Sequence, residues 1–231
     1  MMRLILFDLD NTLLDGDSDF AWAQFLIQKG ALERQAQEER NQRFLADYEA
    51  GTLDIEAFLN FQLAPLAAHS RATLEAWRAE YVKESIRPMM SLAARTLVRD
   101  HLAEKDGITI LVTATNSFVT APIAREFGFA HLIATIPECI NGEFTGKVKG
   151  IPAFREGKLV RVEAWLEAQA LHWGSFAESR FYSDSQNDLP LLEKVSHPIA
   201  VNPDPHLFQV ATARKWGILQ LRHNNKGSKP L

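Results

Sequence analysis

Two carboxylates, Asp8 and Asp10, stand two residues apart in Asp8-Leu-Asp10-Asn-Thr12, directly after the apolar run Arg3-Leu-Ile-Leu-Phe7. In a strand or an extended turn, residues i and i+2 point to the same side, so both carboxylates face one site. Like charges that close are costly unless a cation neutralises them. A hard divalent ion that prefers oxygen ligands, such as Mg2+, answers that need. The plainer role for Asp8 is an Asx-turn or a helix N-cap, for which Thr12 and Asp15 are also suited. A second acidic motif, Ser183-Asp184-Ser185-Gln186-Asn187-Asp188, follows Phe181-Tyr182. Asp184 at a strand end suits a metal ligand, and Asp188 in the first turn of a helix suits orienting the cation from behind. Capping by Asp184 or Asn187 is compatible with both roles. Thr113-Ala114-Thr115-Asn116 offers a hydroxyl and free backbone N–H groups at a helix start, which serve an anion as readily as an N-cap. A phosphoryl group needs a cation as well. Lys147, Lys149, Arg155 and Lys158 are the candidates by region, and Lys158 opens a helix leading towards Asp184, although a lysine there serves equally as a solvated surface residue.

The elements that must position these residues follow from periodicity. Arg3–Phe7 reads as a buried parallel strand that delivers its carboxyl end to Asp8. From Asp19 to about Glu84 apolar residues recur at helical spacing, interrupted at Gly30, Gly51-Thr52 and Pro65, with no strand between. A helix is expected from Met89 to Glu104, a strand over Ile108–Val112 ending at Thr113, a helix over Phe118–Phe127 stopped by Gly128, and a strand over Leu132–Ala134. Asn141-Gly142 and Glu156-Gly157 read as turns of small hairpins. A helix over Lys158–His172, a strand over Arg180–Tyr182, a helix over Asp188–Lys194 and a strand over His197–Val201 follow, and Arg222–Leu231 is polar and expected to fray. Alternating strand and helix predicts an α/β fold, an open parallel sheet covered on both faces. Ligands of such sheets bind off the carboxyl ends of the strands, and three of those ends carry Asp8 with Asp10, Thr113, and Asp184.

Composition narrows the function classes. The chain of 231 residues is 46% apolar and 23% charged, ordinary for a globular protein and unlike disordered or fibrous chains. Twenty-five basic against 29 acidic residues leave a net charge of −4 with no basic block beyond scattered Lys and Arg, so nucleic-acid binding has little support. Cys139 stands alone, which excludes an intramolecular disulfide and a cysteine-based zinc cage. No apolar run reaches the length of a signal peptide or a membrane span. The expectation is a cytoplasmic protein with no membrane partner; its oligomeric state is not legible.

Taken together, FDLDNTLL, a threonine after an apolar strand, a lysine opening the helix before the fourth strand, and SDSQNDLPLL resemble the haloacid dehalogenase (HAD) superfamily. The helical insertion after the first motif resembles a type C1 cap, as in the phosphoserine-phosphatase-like branch, subfamily IB. The resemblance implies a Rossmann-like parallel core over 1–14 and 88–231 with an inserted all-helical cap over 15–87. It implies Asp8 as nucleophile, Asp10 as general acid and base, Thr113 (with Ala114 and Asn116) as the phosphate site, and Lys158 as the charge-neutralising cation. Mg2+ is implied on Asp8, Asp184 and the carbonyl of Asp10, with Asp188 and Asn187 in support. Many relatives carry Gly where Ser183 stands. An acid matching Asp17 holds a substrate amine in these relatives, which favours a small amine-bearing phosphate ester such as phosphoserine or histidinol phosphate; a hinge or helix-capping role for Asp15, Asp17 and Asp19 stays open. Arg40 and Arg43 are examples of partners for a substrate carboxylate. An acid at Asp10 argues against dehalogenation, since halide leaves without a proton. Phosphotransfer, or a non-catalytic phosphate-binding module, remains the alternative.

Overall fold

Strand β1 (Arg3–Phe7) shows no polar alternation because both of its faces are covered: Leu4, Ile5, Leu6 and Phe7 are all fully buried. Successive side chains leave opposite faces of a strand. Ile5 and Phe7 therefore enter one apolar cluster, while Leu4 and Leu6 enter another. The computed structural model describes residues 2–222. Strand β1 is followed by helices α1 (Ser18–Gln28), α2 (Arg34–Glu49), α3 (Ile55–Ala67) and α4 (Arg71–Tyr81), a π-helical stretch Val82–Ile86, and helices α5 (Arg87–Met89) and α6 (Leu92–Leu102). Then come β2 (Gly107–Asn116), α7 (Ser117–Phe127), β3 (His131–Thr135), β4 (Pro137–Ile140), β5 (Glu143–Val148) and α8 (Glu156–Ala168). The chain continues through β6 (Glu178–Ser183), α9 (Leu189–Leu192), β7 (His197–Val201), α10 (Pro205–Arg214) and β8 (Gly217–Leu219).

Six strands form one sheet of order β3-β2-β1-β6-β7-β8, with every neighbouring pair parallel. This is the α/β architecture expected of a HAD core. The first strand lies between β2 and β6, and Phe7 stands opposite both Leu111 and Tyr182. The carboxyl ends of β2, β1 and β6 are thus neighbours, and the chain runs outward from this point in both directions, where open α/β sheets bind ligands.

The helices after β1 share their apolar stripe with one sheet face. Trp22 and Phe25 of α1, Leu63 and Leu66 of α3, and Leu74 and Tyr81 of α4 join Ile5, Phe7, Leu111 and Phe118 in one buried cluster. Each such side chain contributes on the order of 1.5–3 kcal/mol. On the other face Leu4, Leu6 and Val112 meet Val162 and Leu166 of α8, Leu191 of α9 and Leu207 of α10. Helix α2 differs, since Gln37 is its only fully buried residue.

Several local expectations change. Pro65 lies inside the last turn of α3 rather than ending it, and Leu66 after it stays buried in the same apolar cluster. Glu156-Gly157 does not turn a hairpin; the pair opens α8, which ends at Ala168 rather than His172. Asn141-Gly142 does turn one, between antiparallel β4 and β5, with φ of 52° and 89°. The helix expected over Asp188–Lys194 is a 3-10 turn Gln186–Asp188 followed by Leu189–Leu192, and the one expected from Met89 is a short turn before α6. A sixth strand, Gly217–Leu219, carries too short an apolar pattern to be foreseen. All but the first residue of the Arg222–Leu231 tail lie outside the described residues. No described helix is long and apolar enough to cross a membrane.

Candidate active site

Asp8 leaves β1 at the centre of the sheet, where its N–H donates to the Tyr182 carbonyl at 2.9 Å. Its carboxylate accepts from Lys158 Nζ at 2.9 Å. The same ammonium donates to Asp188 Oδ2 at 2.8 Å, and Ser183 Oγ donates to that oxygen at 2.6 Å. Lys158 is 2% exposed and sits in the first turn of α8, an unfavourable end for a cation against the helix dipole. Burial works against its charge too, yet the Asp188 and Asp8 carboxylates outweigh it and hold the ammonium above its ordinary range. Asp8 is pushed up to about 7, first by burial and then by Asp188 and Asp10, with Lys158 opposing.

Asp10 turns the other way from the same loop. Its Oδ1 accepts from the Ser18 N–H at 2.7 Å and its Oδ2 from Thr115 Oγ1 at 2.8 Å. Burial, followed by the charge of Asp17, raises it to about 6.

Asp184 leaves β6 beside Asp8. Thr12 clamps it twice, donating from Oγ1 to Asp184 Oδ1 at 3.0 Å and accepting from the Asp184 N–H at 3.0 Å. Burial, and then the Asp8 and Asp188 charges, raise Asp184 well above the usual carboxylate range. Two enclosed carboxylates, the one raising the other, with no basic side chain bonded to Asp184 among the described residues, form a donor set short of positive charge. Among the described residues no three His, Cys, Asp or Glu side chains converge as a metal cage. The set suits an ion that completes its shell from backbone carbonyl and water, as Mg2+ does.

At the end of β2 the register with β3 shifts between Thr113 and Asn116, which takes Ala114 and Thr115 out of the ladder. Thr113 is buried and its Oγ1 accepts from the Thr115 N–H at 3.2 Å. Asn116 caps α7 through Val119 N–H and donates to Asp19 Oδ1 at 3.3 Å, so its side chain is committed on both sides. Asp17 caps α1, accepting from Phe20 N–H at 2.8 Å, and stays exposed. Asp19 is buried, and Asp15 pairs with Arg222 at 3.0 Å. Asn187 Oδ1 accepts from Arg155 Nε at 2.9 Å. Of the two candidate arginines of α2, Arg40 lies over the Phe61 ring at 4.4 Å and Arg43 is exposed.

The family model for haloacid dehalogenase-like hydrolases matches residues 5–193. The chain belongs to that family. Among HAD-like hydrolases it is a phosphatase: it is 42% identical over 223 residues to a histidinol-phosphatase of Neisseria meningitidis serogroup C, covering 96% of this chain and all of that one. A solved structure of a protein of unknown function from Bordetella pertussis is 52% identical, with a TM-score of 0.90 over 96% of this chain and 100% of that one. The fold is also that of a phosphoserine phosphatase solved as a phospho-aspartyl intermediate analogue, with a TM-score of 0.67 at 18% identity, covering 97% of this chain and 96% of that one.

Motif reading left several residues of this HAD-like phosphatase without a role. Thr12 and Thr115 stand two residues beyond Asp10 and Thr113, and that spacing is the signal that points them back into the site. Ser183 donates to Asp188. Tyr48, whose hydroxyl is 2.8 Å from Ser185 Oγ, gives no signal in the sequence because its partner is 137 residues away.

Proposed function

We propose that this HAD-like phosphatase hydrolyses a small phosphate monoester in two steps through Asp8. The observation that carries the proposal is the position of the Asp8 carboxylate, on the Lys158 ammonium and beside Asp184, with Asp10 on the same loop held by Thr115 and Ser18. A phosphate ester carries close to two negative charges that repel a carboxylate. Lys158 offsets them, and the Thr113 hydroxyl with the Ala114 N–H serves the non-reacting oxygens. Asp8 attacks phosphorus, the bond to the leaving oxygen breaks, and Asp10 gives its proton to that alkoxide. Asp10 then takes a proton from water, which attacks the aspartyl-phosphate, releases inorganic phosphate and restores Asp8. A role of this kind is typically worth ~10²–10⁴-fold in rate. Asp8, Asp184 and the Asp10 carbonyl would hold Mg2+, which when bound withdraws charge from the phosphoryl oxygens. Asp188 and Asn187 orient Lys158 and the loop after Asp184.

The proposed substrate is an amine-bearing metabolite phosphate, and histidinol phosphate ahead of phosphoserine. Supporting this are the histidinol-phosphatase relative and the acid Asp17 before α1, which suits a cationic leaving group. Phosphoserine adds a carboxylate, and Arg40, one of the candidate partners for it, lies over the Phe61 ring. The test is phosphate release with Mg2+ from histidinol phosphate, phosphoserine and an aryl phosphate. Histidinol phosphate should show the highest kcat/KM. Turnover of none of the three would remove the phosphatase reading, and a preference for phosphoserine would remove the substrate.

A further inference from the structure

Arg155 occupies a backbone conformation that arginine rarely adopts, with φ 50° and ψ −123°. The Gly157 N–H donates to the Phe154 carbonyl at 2.9 Å, closing a four-residue turn of the type II′ kind, whose second position ordinarily takes glycine. The strain lies three residues before Lys158, and the Lys158 N–H donates to the Arg155 carbonyl at 3.0 Å. Such strain persists only where the surroundings impose it, and it gathers at functional sites.

The surroundings here are polar contacts to two distant parts of the chain. Arg155 Nε donates to Asn187 Oδ1 at 2.9 Å in the loop after Asp184, and Nη2 donates to the Gly51 carbonyl just beyond α2. Its guanidinium also lies over Phe154, whose ring meets Tyr48 of α2. Two further bonds tie the same end of α2 to the same loop: Tyr48 hydroxyl with Ser185 Oγ at 2.8 Å, and Gln186 Nε2 to the Glu49 carbonyl at 3.2 Å. Helix α2 packs on α3 through Phe44 against Phe58 and Phe61 and buries only Gln37, while these polar contacts join its C-terminal end to the loop after Asp184.

We propose that Arg155 is a positioning residue that couples docking of the α2 end onto the Ser185–Asn187 loop to the placement of Lys158 against Asp8. It acts through other groups: when Gly51 and Asn187 grip its guanidinium, the turn is held in its strained form and α8 starts where Lys158 reaches both Asp8 and Asp188. The inference rests on the phosphatase mechanism above, so phosphate release by the wild-type protein is measured first; its absence would speak against that mechanism and not against the coupling.

The decisive comparison sets Arg155→Ala, which loses both grips but keeps the Cβ that disfavours this turn, against Arg155→Gly, which loses the grips yet accepts the turn geometry without strain. A merely structural arginine would give the two variants the same kcat. We expect kcat of Arg155→Ala to fall at least ~10-fold with KM for an aryl phosphate within ~3-fold of wild type. Arg155→Gly should keep a kcat at least ~3-fold above that of Arg155→Ala. A kcat of Arg155→Ala within ~3-fold of wild type, or equal kcat for the two variants, would overturn the proposal.

Discussion

Asp8, Asp10, Asp19 and Asp184 are all held above the ordinary carboxylate range, mainly by burial. The unfolded chain releases these protons near 3.8, whereas the folded protein keeps that of Asp10 to about 6 and that of Asp8 to about 7. Over that interval the native state binds more protons, so its stability is full below the unfolded value and is lost as pH rises through the folded one. His101, lowered chiefly by burial, acts in the opposite sense, but only below its ordinary 6.5. In EDTA, Tm should therefore be higher at pH 6.5 than at pH 8. Asp8→Asn should abolish turnover, raise Tm at pH 8 by about 3 °C or more, and flatten the pH dependence, ~1 kcal/mol being about 2–4 °C in a chain of this size. A lower Tm for Asp8→Asn at pH 8 would show that its pairing with Lys158 outweighs the repulsion. Residue types alone identified Asp8, Asp10 and Asp184 as candidates, since acids after apolar strands are visible locally. Their bonding to Thr12, Thr115 and Ser18 was not visible, because those contacts depend on how a loop closes.

Helix α8 is the element on which the site depends most directly. Its second residue, Gly157, has no room for a side chain: a Cβ there would lie 2.2 Å from the Pro152 carbonyl oxygen, which is backbone and cannot swing aside. Gly157→Ala should displace the helix start and with it Lys158, the next residue. We expect a loss of more than ~2 kcal/mol in urea unfolding and a fall in kcat of ~100-fold. Unchanged kinetics would mean that Lys158 reaches Asp8 without the tight turn. Local spacing makes Glu156-Gly157 a hairpin turn because Gly after a polar residue signals a turn of either kind. Whether a strand or a helix leaves that turn is settled by burial of Val162 and Leu166 against the sheet, a long-range term that neighbouring residues do not contain.

At the scale of the whole molecule, the site exists because one sheet brings together segments far apart in the chain. Thr12 and Asp184, 172 residues apart, share a hydrogen bond, and Lys158 and Asp8 are 150 residues apart. A ligand that bridges them should stabilise the fold as a unit. Mg2+ in large excess over its dissociation constant should raise Tm, ~2.7 kcal/mol being available at 100-fold excess. EDTA should reverse the rise, and Asp184→Asn should abolish it; a shift that survives Asp184→Asn would place the ion elsewhere. By itself the sequence determined the alternating α/β order, the helical insertion after the first strand, the Asn141-Gly142 hairpin, the acids at two strand ends and the threonine at a third. Each is written in neighbouring residues, through strand and helix periods and turn chemistry. Tertiary structure alone decided that Asn116 is spent on α7 and Asp19 and that Arg155 links α2 to the loop after Asp184; it also brings Lys158, which the family resemblance singled out among four basic candidates, onto Asp8. Those outcomes depend on which helix packs on which sheet face and in what register, and no local pattern records the partner across the fold.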